Sequence, residues 1–196
     1  MAGLVAFCTV LPSAARNADA VAVVDNLHAA LLEIMQNAKT LGFIGRREKI
    51  APVIERSFDL PFITRFTLGR YWTDLSAEQQ KTVVETFSRW TIANYAARFN
   101  GYSGEQFETI SNESARRDRE LVRTVLDVRT DPGEKITLDY LLHETGDKWR
   151  IINVIANGVS DLSLKRADYG AVLKSDGLDT LIAKLNDQIR EFETEN

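Results

Sequence analysis

Apolar residues recur at intervals of three and four through the first half of the chain, then alternate with polar ones, then return to helical spacing. Val21, Val24, Leu27, Leu31, Ile34, Met35 and Ala38 share one helical stripe, predicting an amphipathic helix over 19–39 with Gly42 as its stop. A second helix is expected from Arg46 to Phe58, with Pro52 starting or kinking it. Asp59-Leu60-Pro61 has the form of a cap with proline in the first turn, opening a short helix that ends near Gly69. Ser76-Ala77-Glu78-Gln79 has capping-box spacing and begins a helix expected to reach Phe99, closed by Asn100-Gly101. Along it Phe87, Thr91, Tyr95 and Phe99 fall at four-residue steps beside Val83, Val84 and Trp90. That broad face serves core packing alone, or core packing together with a ligand wall.

After Gly104 the period changes to two. Strands are expected at 106–112, 120–130, 135–144 and 148–156, with Asp131-Pro132-Gly133-Glu134 and Thr145-Gly146-Asp147 as turns. Val122, Thr124, Leu126 and Val128 share one face of the second strand; Ile136, Leu138, Tyr140 and Leu142 share one face of the third. From Trp149 to Leu185 a strand hands directly to helices through Asn157-Gly158, with a second break at Asp176-Gly177, so sheet and helices must meet along this segment. The pattern gives an α+β domain: helices covering one face of a four-stranded antiparallel meander. Twist makes such a sheet concave, and helices over a concave sheet can enclose a cavity.

Composition narrows the function. The chain has 196 residues, a net charge of −4 and a pI near 5.3, which argues against nucleic acid as the main partner. Residues 1–20 resemble a secretory signal: an apolar run from Leu4 to Leu11 precedes Ser13-Ala14-Ala15 and Ala18-Asp19-Ala20, both small-x-small sites, although no Lys or Arg stands before the run. Cys8, the only cysteine, lies inside it, so the remaining chain offers no thiol and no disulfide. A single domain is expected over about 21–190, with a helical part to about 100, a sheet over about 105–156 and C-terminal helices over about 159–190.

Catalytic and metal signatures are thin. His28 and His143 are the two histidines and neither has ligand-type neighbours at metal spacing; His143, opposite Tyr140 on its strand, is expected at the surface, and a dyad with Asp139 is disfavoured. Ser160 lies in GVSD, which is not a nucleophile elbow. There is no Walker loop, dinucleotide glycine fingerprint or H-E-x-x-H, and neither a cofactor nor a metal is expected. The charges from Arg116 to Glu120 fit a solvated hairpin turn; Arg46-Arg47 and Lys165-Arg166 fit surface charge or partner contacts.

Three runs together carry a resemblance: IAPVIERSFDLPFITRFTLGRYWTDLSAEQ, FSRWTIANYAARFNGYSGEQF, and KWRIINVIANGVSDLSLKRADYGAVLKSDGLDTLIAKL. The chain, from about Ala20 to Ile189, resembles the MlaC and toluene-tolerance family of periplasmic lipid-binding proteins, and within it the hopanoid-associated HpnM branch. The resemblance implies a helical lobe on an NTF2-like curved sheet with lipid held between the layers. It also implies carriage of phospholipid, or of a hopanoid-type lipid, across a bacterial periplasm. The partners would be an inner-membrane ABC transporter with an MCE-type subunit and an outer-membrane lipid complex.

Strand faces and helix stripes then nominate the lipid-contacting residues: Val122, Leu126, Leu138, Tyr140 and Leu142 from the sheet, and Phe62, Phe66, Phe87, Tyr95 and Phe99 from helices. Tyr169, Val172 and Leu173 are expected to close one end, Lys165 and Arg166 are candidates for head-group or partner contacts beside plain surface charge, and Leu142→Glu is expected to abolish lipid retention in a folded domain. Two alternatives remain: an NTF2-like dehydratase or isomerase with His143 or a carboxylate inside its pocket, and a periplasmic adaptor without lipid.

Overall fold

The computed structural model describes residues 13–128 and 135–195. The apolar run of the expected leader, Cys8 and the Asp131–Glu134 turn lie outside them. The described residues form α1 (Ser13–Gln36), α2 (Ala38–Ser57), α3 (Leu60–Leu68), a 3₁₀ turn (Gly69–Asp74), α4 (Ala77–Arg98), β1 (Gln106–Ala115), β2 (Arg119–Asp127), β3 (Lys135–Thr145), β4 (Lys148–Ala156), β5 (Val159–Ser160), α5 (Asp161–Ser175) and α6 (Gly177–Glu195). The strands lie in chain order in one antiparallel sheet. The sheet thus has five strands rather than four, because the turn at Asn157-Gly158 folds Val159-Ser160 back onto Ile155 and Ala156. The fold class is α+β, a helical lobe on a curved antiparallel sheet.

Local chemistry sets the helix ends. The Asp59 side chain accepts the Phe62 N–H at 2.9 Å and starts α3. The Ser76 hydroxyl accepts the Gln79 N–H at 3.2 Å while the Gln79 side chain accepts the Ser76 N–H at 2.9 Å, so both halves of the capping box form. Gly42, at φ +58°, kinks α2 rather than stopping α1, and Pro52 sits exposed inside the helix. The expected break at Pro52 is therefore at Gly42, where only glycine takes the left-handed conformation at no cost.

Two bulges bend the sheet. Ile110 is the extra residue in β1, between the pairs Thr109 with Thr124 and Ser111 with Arg123. Ile152 is the extra residue in β4, between Leu142 with Ile151 and Leu141 with Asn153. A bulge increases local twist and exchanges the faces of the residues beyond it. The core runs from Val24, Leu27, Leu31 and Ile34 of α1 through Ile50 and Ile54 of α2 to Val122, Leu142 and Ile151 of the sheet.

Arg46 corrects a surface reading. It is 2% exposed; its Nε donates to the Ala96 carbonyl at 2.9 Å and its Nη1 to the Ala38 carbonyl at 3.2 Å. The guanidinium satisfies a carbonyl in the last turn of α4 that would otherwise lack an intrahelical partner, and burial pulls its pKa down.

Candidate functional site

Between α4 and the sheet lies a cavity of about 200 Å³. One wall is α4 with its C-cap: Phe87, Trp90, Thr91, Asn94, Tyr95, Arg98 and Phe99. The facing wall is Leu138 and Tyr140 of β3 with Ile152, Asn153, Val154 and Ala156 of β4. Phe58, Leu60 and Ile63 close it at the start of α3; Asp161, Leu162 and Lys165 close it at the start of α5.

The four-residue stripe of α4 makes its wall continuous. The Tyr95 and Phe99 rings stack at 5.8 Å, Phe58 lies 5.7 Å from Tyr95, and Phe87 stacks on Trp90 at 5.9 Å. The Thr91 hydroxyl donates to the Phe87 carbonyl at 2.9 Å, so its polarity is spent within the helix. Behind the opposite wall, His28 Nε2 and the Tyr140 hydroxyl are hydrogen-bonded at 2.9 Å, and the imidazole stacks on Phe107 at 4.0 Å.

Burial keeps these groups uncharged. It lowers the His28 pKa to about 4, leaving a neutral imidazole at pH 7. It pushes the Tyr140 phenol well above its ordinary value, and burial together with the Asp161 carboxylate pushes the Tyr95 phenol up as well. A wall of rings, aliphatic chains and un-ionised phenols is a solvent for hydrocarbon.

Of the nominated residues, Phe87, Tyr95, Phe99, Leu138 and Tyr140 stand on the cavity wall. Val122 and Leu142 have no exposed surface, Leu126 is buried on the same sheet face, and none of the three lines the cavity. Glutamate at Leu142 therefore falls in the packed core, and the expected outcome changes from a folded, lipid-free domain to an unstable one. Phe62 packs on His143 at 4.9 Å and on Phe66 at 6.3 Å, while Phe66 is part-exposed beneath the Arg166 guanidinium. Tyr169 meets Phe87 edge-on at 6.2 Å, and Val172 and Leu173 pack against the core farther along α5.

The wall also contains residues that the alternation hid. Ile151-Ile152-Asn153-Val154-Ile155 is apolar on both registers, and only the bulge at Ile152 turns Ile152, Val154 and Ala156 toward the cavity. Of the polar members, Lys165 stood out in the sequence as half of the Lys165-Arg166 charge pair, while Asn94, Arg98, Asn153 and Asp161 carried no motif.

Three further expectations change. His143 is half-buried: Nε2 lies 2.8 Å from Asp59 Oδ2, and the Thr145 hydroxyl donates to that oxygen at 3.2 Å. The bridge between Phe58 and Ile151 and the 3.0 Å bond from the Asp59 N–H to the Ile151 carbonyl bring the α3 cap beside this strand, which alternation alone could not reveal. Its carboxylate partner is thus Asp59, not Asp139, and the pair lies outside the cavity. Ser160 is the N-cap of α5, accepting the Ser163 N–H at 3.1 Å. Arg166 stacks on Phe66 at 4.8 Å and donates to its carbonyl at 3.4 Å, bracing the end of α3; a Cβ on Gly69, at φ +56°, would stand 3.2 Å from the guanidinium.

Fold and cavity together define an α+β pocket domain whose chamber is walled by aromatic and aliphatic side chains. Among the described residues no helix is long and apolar enough to cross a membrane. The chain belongs to the MlaC protein family, whose model matches residues 25–187. A curated relative, the intermembrane phospholipid transport system binding protein MlaC of Haemophilus influenzae, is 27% identical over 121 residues, covering 60% of this chain and 56% of the relative. The match thus spans little more than half of that relative's length. Among solved structures, a phospholipid-binding protein from Ralstonia solanacearum in complex with a phospholipid shares the fold at a TM-score of 0.74 and 18% identity, over 90% of this chain and 97% of that one.

Proposed function

We propose that this protein is a periplasmic lipid-binding carrier, exported by its leader, that moves phospholipid or a hopanoid-type lipid between the outer and inner membranes. The observation that carries the reading is the apolar cavity between α4 and the sheet. The family membership and the phospholipid named for both relatives support it. Phe87, Tyr95, Phe99, Leu138 and Tyr140 take the acyl chains, and Tyr169 backs Phe87 at the α5 end. An MCE-type subunit of an inner-membrane ABC transporter and an outer-membrane lipid complex are the exchange partners, and the hopanoid branch is the lineage proposed from the sequence.

The physics of transit favours such a chamber. Each acyl CH₂ is worth about 0.8 kcal/mol, so exposing a lipid of about 30 methylenes to water costs on the order of 20 kcal/mol. A protein wall that replaces the bilayer removes most of that barrier without chemistry. Native mass spectrometry of gently purified protein tests the reading, with co-purified membrane lipid as the expected result. A consistently empty protein supports the adaptor alternative instead. The small-enzyme alternative gains nothing from His143, which is bonded to Asp59 away from the chamber.

A further inference from the structure

The sheet has one open edge. At its far margin β4 is paired with β5 and is met at Ile151 by Phe58, so that side is already taken. At the near margin β1 is paired with β2 alone, and among the described residues no other backbone segment pairs with it. Its ten residues, Gln106–Ala115, leave a row of N–H and C=O groups on the side away from β2. Such a row is a template for a further strand. The cavity wall comes from β3 and β4, so β2 separates this edge from the chamber.

Side chains along the edge decide what that strand can be. β1 contains Glu108 and Glu113 and no Lys, Arg or His. Both glutamates are exposed; Glu108 has no ion-pair partner among the described residues, and Glu113 meets Arg123 Nε only at 3.5 Å. Between them Ile110, the extra residue of the bulge, is 56% exposed. In the register that pairs the whole strand with a second copy of itself, Gln106 meets Ala115, and Glu108 then falls opposite Glu113 of the copy on both sides of the two-fold axis. Like charges directly opposite are destabilising, so the edge disfavours its own copy and favours cations. The spacing those cations need is visible on β2: Val125 stands opposite Glu108 and Leu121 opposite Glu113, four residues apart on one face, because the bulge absorbs one residue.

We propose that the β1 edge is a docking site for an extended basic segment of a partner protein, added to the sheet as a further antiparallel strand. The segment carries two Lys or Arg residues four apart, opposite Glu108 and Glu113, and an apolar residue midway that packs on Ile110. Antiparallel pairing is the geometry of every strand pair in this sheet and the more stable one per residue. Main-chain hydrogen bonds hold such a segment whatever its sequence; the two carboxylates select its charge, and their spacing selects its register. The site does not depend on what the cavity holds.

The test uses the full chain and three synthetic peptides: Thr-Lys-Thr-Val-Thr-Lys-Thr, its counterpart with Glu in place of both Lys, and Lys-Lys-Thr-Val-Thr-Thr-Thr, which keeps the charge and loses the spacing. Amide hydrogen exchange resolved by residue reports where each one binds. The first peptide is expected to protect alternate amides between Phe107 and Ala115, less so as NaCl is raised, and to bind about tenfold more tightly than either of the others. Glu108→Lys combined with Glu113→Lys should reverse the preference in favour of the Glu peptide while melting as wild type does. Glu108→Lys alone should weaken the first peptide about threefold, and it carries the test if the pair does not fold. Equal binding of the three peptides, a preference unchanged in the variants, or protection confined to other elements overturns the proposal. A β1 edge already protected without peptide, in a protein that dimerises with concentration in sedimentation, assigns the edge to a second copy and overturns it too.

Discussion

His28 shows how one side chain links the fold to the cavity wall. It sits on α1, stacks on Phe107 and fixes the Tyr140 hydroxyl at the back of the chamber. Its pKa falls from 6.5 in the unfolded chain to about 4 in the folded one, by burial. Above pH 6.5 both states are neutral and the full stability is present. As the pH falls, the unfolded chain binds a proton that the native state refuses, so stability drops until about pH 4 and then levels, a total of roughly 3 kcal/mol. A glutamine at this position can hydrogen-bond to Tyr140 but does not titrate. The stability gap between wild type and His28→Gln, measured by urea unfolding, should therefore shrink by about 2–3 kcal/mol between pH 7 and pH 4. A gap that does not change with pH contradicts the buried neutral imidazole. At this scale the sequence was informative wherever a local motif exists: Ser76 with Gln79, and Asp59 with Phe62, cap as their spacing required. It placed His143 and Arg46 at the surface and gave His28 no role, because their partners Asp59, Ala96 and Tyr140 lie 84, 50 and 112 residues away.

The helix and strand scale explains which half of the site was legible. A straight helix keeps its period, so Phe87, Thr91, Tyr95 and Phe99 could be placed on one face from spacing alone, and that face lines the cavity. A strand with a bulge does not keep its period. Ile152 changes the inward face of β4, and the continuous apolar run there conceals the change. The sheet residues chosen on strict alternation accordingly divide: Leu138 and Tyr140 reach the cavity, while Val122, Leu126 and Leu142 pack beneath it. This division is testable by one charge at two positions. Leu138→Glu, on a half-buried lining residue, should leave a cooperative fold and remove most co-purifying lipid. Leu142→Glu should lower stability by more than about 3 kcal/mol, since it both removes a core side chain and buries a carboxylate. Thermal melts with lipid extraction check both, and a folded, lipid-loaded Leu138→Glu protein would remove that residue from the site.

For the whole molecule, volume is the decisive quantity. About 200 Å³ is little more than the ~150 Å³ that accommodates benzene, and it falls below the ~300–1,000 Å³ of ordinary ligand pockets. A two-chain lipid does not fit within it as it stands, so the proposed carrier function calls for α4 and α5 to part from the sheet during loading. The interior is also aromatic, and stacked rings can slide apart while still covering apolar surface. The α+β class, the order of helices, sheet and helices short of β5, and the MlaC family were readable in the sequence. The size of the chamber was not, nor was its polar lining beyond Lys165, because both depend on how distant elements meet. The central claim is that acyl chains occupy the space between α4 and β3–β4. A phospholipid with a photoactivatable group in its acyl chain, loaded into the protein and mapped by peptide mass spectrometry after irradiation, tests it most directly. The account predicts labels on the segment from Phe87 to Phe99 and on Leu138 to Ala156; labels confined to the outer surfaces of α2 and α6 would contradict it.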